Sequence, residues 1–199
     1  MNKFFLLLLA SLFASVFVNA QDKKHELSLS TGILTTSQIL DTYPNLMSKI
    51  ETDNPYLREN ATLRGNLNLT YRYTVNEKWT LNLASSYDHS SAEVHVGGSK
   101  VGESKRHMVT LAPEVSYYYL RHEKFQMYSG LGLGYTYGFG EMIPDPGNKM
   151  MLEYVDEKIG HINFQLNAIG LRYGKRIAGF TEVGFGYKGV ANIGMSYQF

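Results

Sequence analysis

Cysteine is absent from all 199 residues. An exported chain without disulfide staples must draw its stability from packing or from a membrane. Charge of one sign is also missing: the formal net charge is +1, whereas nucleic-acid binding needs a concentrated basic patch. Beyond residue 20 there is no run of 18 consecutive apolar residues, so transmembrane helices are excluded. If this chain crosses a membrane, a closed barrel is the architecture left to it.

The first 20 residues have their own character. Lys3 supplies a positive charge, Phe4 to Val18 form an apolar run, and Val18-Asn19-Ala20 makes a small-residue cleavage site before Gln21. This reads as a secretory signal peptide, too short and wrongly flanked for an anchor. No Cys follows the cleavage site, so a lipoprotein anchor is not expected. Residues 21–199 are one domain's worth of chain. Lys3 is the only charge in the leader with no acidic counterpart there, so the remaining domain is formally neutral. Tyr (15), Gly (19) and Phe (10) are plentiful, and Tyr suits a membrane–water boundary, where one end is oily and the other wet.

Eight segments alternate with period two, the mark of strands with one oily and one polar face. The first runs from about Glu26 to Thr35. The second, Leu63 to Val75, sets Leu67, Leu69, Tyr71 and Tyr73 against Arg64, Asn66, Asn68, Thr70 and Arg72. The third runs from Trp79 to Tyr87, and the fourth carries Val109 to Tyr119 with Glu114 on its polar face. The fifth, Phe125 to Phe139, has Gly130, Gly132, Gly134, Thr136 and Gly138 opposite its oily side. The sixth, from Ile162 to Tyr173, shifts phase by one residue near Ala168 to Gly170, which predicts a bulge. Thr181 to Tyr187 and Val190 to Phe199 complete the set.

Connections alternate in length. Those after the second, fourth and sixth segments are short, while residues 36–62, 88–106 and 140–158 form long ones; Lys188-Gly189 is a tight turn on the long-loop side. Short turns at one end and long loops at the other describe an antiparallel up-and-down transmembrane barrel of eight strands. Aromatics gather accordingly. Tyr73, Trp79, Tyr119, Phe125 and Tyr173 lie by the short turns, and Tyr87, Tyr137, Phe139 and Tyr187 by the loops, as two girdles at two interfaces require. The rival is a soluble lipocalin-like barrel with its oily face inward. Its outer face would be charged, but the second face here is mostly Gly, Ser, Thr and Asn.

The final strand ends on Tyr197-Gln198-Phe199, and Gly184-Phe185-Gly186-Tyr187-Lys188-Gly189 precedes it. In these motifs, and in strand rhythm over nearly all of residues 21–199, the chain resembles the small Gram-negative outer-membrane β-barrel family typified by OmpA and OmpX. The resemblance implies cell outer-membrane localisation, outer-membrane lipids as surroundings and a porin-like wall. It also implies that Tyr197 and Phe199 act as a C-terminal signal for the barrel-assembly machinery. No soluble peptidoglycan-binding domain follows the barrel, so cell-wall anchoring is not implied.

Chemistry is sparse. Arg64, Arg72, Glu114, Arg172 and Glu182 fall on the polar face and are expected to form a lumen charge network, with Arg72–Glu114 as one pair. An eight-stranded interior is just filled by side chains, and a lone charge there costs several kcal/mol, so a structural plug outranks a gated ion path. The Gly130 to Gly138 stripe relieves crowding or opens a cleft. Asp88, His89, Ser90, Ser91, Glu93, His95 and His107 include the residue types of a hydrolase triad, and outer-membrane lipid A deacylases and acyltransferases are eight-stranded. No nucleophile motif accompanies them, and no ligand spacing marks His89, His95 and His107 as a metal site. Residues Pro44 to Ile50 could form a short amphipathic helix. Together with Met142, Ile143, Met150, Met151 and Leu152 they could cover the mouth or contact an extracellular ligand. The two Asn-X-Thr matches, at Asn60 and Asn68, are chance in a bacterial wall. The expectation is a non-enzymatic surface or structural protein without cofactor, metal or nucleic-acid partner, with a lipid-modifying enzyme as the alternative.

Overall fold

A computed structural model describes residues 24–42, 56–62, 65–96, 99–145 and 159–199. The expected signal segment, Arg64, the Pro44–Ile50 stretch and Met150 to Leu152 lie outside them. The elements are β1 (His25–Ile33), α1 (Thr36–Thr42), β2 (Tyr56–Thr62), β3 (Leu67–Thr74), β4 (Trp79–Val96), β5 (Ser99–Arg121), β6 (Phe125–Pro144), β7 (Ile159–Gly174), β8 (Ile177–Gly186) and β9 (Ala191–Gln198).

All neighbouring pairs are antiparallel, and β1 with β9 makes the seam that closes the sheet. Nine strands make eight staves because β2 and β3 share one place in the wall. Both pair with β4, β3 along residues 80–87 and β2 along residues 91–96. The fold is therefore an eight-stranded antiparallel barrel.

Which way the faces point follows from alternation. Leu67, Leu83, Leu131 and Ile193 are 53%, 50%, 61% and 65% exposed, while Asn68, Arg172 and Glu182 are at 2% or below. Oily side chains thus cover the outside and polar ones fill the inside, the reverse of a water-soluble barrel. Such a wall is stable against hydrocarbon, since the ladder of a closed sheet leaves no main-chain group without a partner. The phase shift in β7 has its cause at Ala168. Register breaks there on both sides, and Ser129 Oγ donates to the Ala168 carbonyl at 2.6 Å.

Two features differ from the sequence reading. Residues 88–106 do not form a loop: β4 and β5 stay paired from Trp79↔Tyr117 to Val96↔Ser99 as one long hairpin. Likewise β6 continues to Pro144, and β2 lies inside the first long connection. The oily alternation stops where lipid stops, but the main-chain ladder does not need it.

The second difference is the turn between β8 and β9. Tyr187 is only 2% exposed and sits inside, not in the outer aromatic ring. Gly186 adopts φ +145° and Gly189 φ +98°, conformations that L side chains rarely take, and they rotate the intervening residues into the lumen. Tyr187 N donates to the Phe164 carbonyl at 3.2 Å, and Val190 N donates to the Ile33 carbonyl at 2.9 Å. The turn is stitched between β7 and β1.

Near the outer mouth, α1 starts with a capping box. Thr35 Oγ1 accepts from Gln38 N at 3.1 Å, and Gln38 Oε1 accepts from Thr35 N at 3.3 Å. Asp88 accepts from both caps, Thr35 Oγ1 at 2.5 Å and Gln38 Nε2 at 3.4 Å. Thr36 Oγ1 donates to Asn163 Oδ1 on β7 at 3.3 Å. The helix start is therefore tied to both β4 and β7.

Candidate functional site: the lumen network and the outer sheet

Two ionic clusters fill the lumen. In the lower one, Arg72 on β3 donates through one nitrogen to Glu26 at 2.6 Å and through the other to Glu182 at 3.0 Å. Arg172 on β7 lies 2.9 Å from the second Glu26 oxygen and donates to Ser196 Oγ at 3.0 Å. Tyr128 OH and Asn192 Nδ2 donate to Glu182 at 2.7 and 2.9 Å, and Gln198 Nε2 donates to Glu26 at 2.8 Å. The Arg72 guanidinium also lies over the Phe180 ring, 5.1 Å from its centre.

Higher up, Lys188 reaches down from the inturned β8–β9 connection to Glu114 on β5, at 2.7 Å. Tyr187 OH donates to the same carboxylate, and Lys188 N donates to Gln165 Oε1 at 2.8 Å. Above it, Asn66 Nδ2 donates to the Tyr187 carbonyl at 2.9 Å.

Each of the six ionised groups in these two clusters is buried and faces an opposite charge. Partnering of this kind is what a water-poor interior demands, because an unpaired charge there is strongly destabilising. The arrangement is a packed plug. Below it, toward the short turns, a 230 Å³ cavity is bounded by Thr74, Arg121, His122, Glu123, Gln126 and Gln198.

The structure places Arg72, Glu114, Arg172 and Glu182 in the lumen but pairs them differently from the expectation. Arg72 joins Glu26 and Glu182, and Glu114 joins Lys188. Sequence reasoning omitted both Glu26 and Lys188. Glu26 was legible, since it shares the polar phase of Ser28 and Ser30; Lys188 was hidden by the phase change at Gly186.

The glycine stripe makes room for the plug. A Cβ on Gly132 would lie 2.8 Å from Glu114 Cγ and 3.2 Å from Tyr187 OH, and one on Gly134 would lie 2.5 Å from Ala112 Cβ. There is crowding here, not a cleft.

Of the aromatics near the short turns, Tyr73, Trp79, Tyr119 and Tyr173 are exposed on the outer wall and Phe125 is half-buried. Tyr87, Tyr137 and Phe139 are exposed near the other end. At the seam, Phe199 N donates to the His25 carbonyl at 2.9 Å, and the Phe199 ring stacks on His25 with centres 5.7 Å apart. Tyr197 lies 5.9 Å from Phe199, ring centre to ring centre.

Above the outer aromatics, β2, β4, β5 and β6 continue as a four-stranded sheet. Asp88 and Ser90 are buried inside, whereas His89 and Ser91, on the other parity of β4, are half-buried. Alternation thus places Asp88 and Ser90 on one face and His89, Ser91 and Glu93 on the other. His95 lies near the hairpin tip, opposite Lys100. Lys100 Nζ lies 3.0 Å from Glu93 and 3.3 Å from Glu103. Their carboxylates, Glu93 foremost, hold its ammonium above the ordinary lysine range.

No family model and no curated protein sequence matches the chain. Among solved structures, the crystal structure of the outer membrane protein OprG from Pseudomonas aeruginosa is similar, with a TM-score of 0.50 at 16% identity. The match covers 88% of this chain and 93% of that one. Ail, the attachment invasion locus protein of Yersinia pestis, is aligned at a TM-score of 0.42 and 11% identity, over 88% of this chain and 96% of that one. A second Ail structure, in complex with the heparin analogue sucrose octasulfate, gives 0.41 and 12%, over 88% and 99%. The likeness to OprG supports the barrel fold, and it stops there.

Proposed function

We propose that this chain is a non-enzymatic integral protein of the outer membrane, whose blocked barrel carries a four-stranded sheet above the surface for contact with other molecules. The carrying observation is the combination of an oily outer wall with a polar, charge-paired interior. That wall calls for lipid around it, and paired charges within an eight-stranded interior favour a plug over an ion path. Tyr197 and Phe199, at the closing seam, are the residues proposed to be read by the assembly machinery. Residues 1–20 are proposed to be removed on export.

The outer sheet supports a surface-interaction role through its edges. Among the described residues β2 pairs only with β4, and β6 beyond Gly138 pairs only with β5. A strand edge can take an added strand through main-chain hydrogen bonds. Charge on this sheet is mixed in sign, as the Lys100–Glu93–Glu103 group illustrates, so it provides no concentrated basic patch for a polyanion.

Because the chain has no cysteine, orientation can be tested with single introduced thiols. Ser99→Cys, at the tip of the long hairpin, is expected to react with a membrane-impermeant maleimide on intact cells. Glu77→Cys, in a short turn, is expected to react only after the outer membrane is permeabilised. Equal labelling of both in intact cells, or the inverse pattern, overturns the proposal.

A further inference from the structure

We propose that His89 and His107 form a two-imidazole site for a divalent transition-metal ion on the outer rim of the wall. Two of the six histidines in the chain are brought together here by hairpin register, although 17 residues separate them in sequence. They are direct cross-strand partners on β4 and β5, one step above the aromatic Tyr87, and their ring centres are 4.5 Å apart.

That separation fits shared coordination. A metal–nitrogen bond of about 2.1 Å puts the ion roughly 3.2 Å from each imidazole centre. Two rings at right angles around one ion then have centres about 4.6 Å apart, whereas tetrahedral placement gives about 5.2 Å. The observed spacing is nearer the first. Small ring movements reach either arrangement, and Cu(II), which leads the general affinity order of divalent ions, is the natural probe.

The surroundings orient one ligand. Tyr87 OH lies 2.7 Å from His107 Nδ1, so Nε2 is the nitrogen that Tyr87 leaves unengaged, and Phe139 stacks against the same ring at 5.3 Å and 14°. A hydrogen-bonded second nitrogen and a packed ring are the usual supports of a metal-binding histidine. On the next rung Lys105 lies opposite Glu141, so the nearby cation has an anionic neighbour. Among the described residues no group of three or more His, Asp or Glu able to hold an ion occurs. Water must therefore complete the coordination sphere. The competing account is an aromatic row, His89–His107–Phe139, held by stacking alone.

The test titrates the full-length mature protein in detergent micelles with Cu(II) at neutral pH, followed by electron paramagnetic resonance and calorimetry. The wild type is expected to bind one more Cu(II) per barrel than the His89→Ala/His107→Ala double variant, with nitrogen hyperfine structure that the double variant lacks. Copper held by the chain terminus or by the other histidines is common to both and cancels. Tyr87→Phe, which keeps the ring but loses the hydroxyl, is expected to weaken this site roughly tenfold. All these side chains lie on the outer wall, so unchanged heat-modifiable migration in gels verifies folding. Identical stoichiometry and spectra in wild type and double variant leave only the aromatic row and overturn the proposal.

Discussion

Removing the Arg72 guanidinium should be among the most destabilising single changes in the barrel wall. Arg72 is 3% exposed and bridges Glu26 at 2.6 Å and Glu182 at 3.0 Å. In Arg72→Met, Glu26 keeps Arg172 at 2.9 Å and Gln198 at 2.8 Å. Glu182 keeps neutral donors in contact, Tyr128 at 2.7 Å and Asn192 at 2.9 Å, and the attraction of the Lys188 ammonium from beyond hydrogen-bond range. Breaking a buried pair from one side costs about 3–5 kcal/mol. The two remaining hydrogen bonds to Glu182 place the expectation near the lower end, about 3 kcal/mol. Urea unfolding in lipid vesicles, read by Trp79 fluorescence and by gel mobility, measures it. Adding Glu182→Gln removes the carboxylate that has lost its contact cation, so the double variant should recover about 1 kcal/mol of the loss. The reasoning is refuted if Arg72→Met costs less than about 1 kcal/mol and Glu182→Gln leaves that cost unchanged. That result would describe a lumen wet enough to solvate its own charges.

Gly134→Val places a branched side chain where a Cβ would already be 2.5 Å from Leu111 O. It should cost about 1–3 kcal/mol in the same unfolding assay. Gly179→Ala, whose Cβ would meet nothing within 4 Å, should stay within about 0.5 kcal/mol of wild type. Leu83→Lys puts a charge on the lipid-facing wall, where Leu83 is 50% exposed. A loss of about 2–4 kcal/mol is expected in vesicle-based unfolding if Leu83 lies near the bilayer midplane.

How far the sequence could be read depended on what each residue faces. Inside the lipid band the two faces meet different surroundings, so alternation from Leu67 to Arg72 or from Leu81 to Ser86 already discloses the staves and assigns Arg72, Glu114, Arg172 and Glu182 to the lumen. Pairing could not be read the same way. It depends on how the staves are sheared and where the seam lies, and it is closure of β1 on β9 that brings Glu26 to Arg172. Residues 88–106 failed for another reason. Outside the lipid both faces of a hairpin can be polar, so the pattern fades while pairing continues to Val96↔Ser99. Tyr187 was misplaced because strict period two was carried through Gly186, where a positive φ resets it.

The inturned end of the last hairpin couples the wall to its contents. Lys188 is anchored to Glu114 across the interior, while its neighbour Val190 is bonded to Ile33 on the first strand. One short connection therefore serves both the closing seam and the interior charge pair, so a change that displaces this turn should loosen the two together.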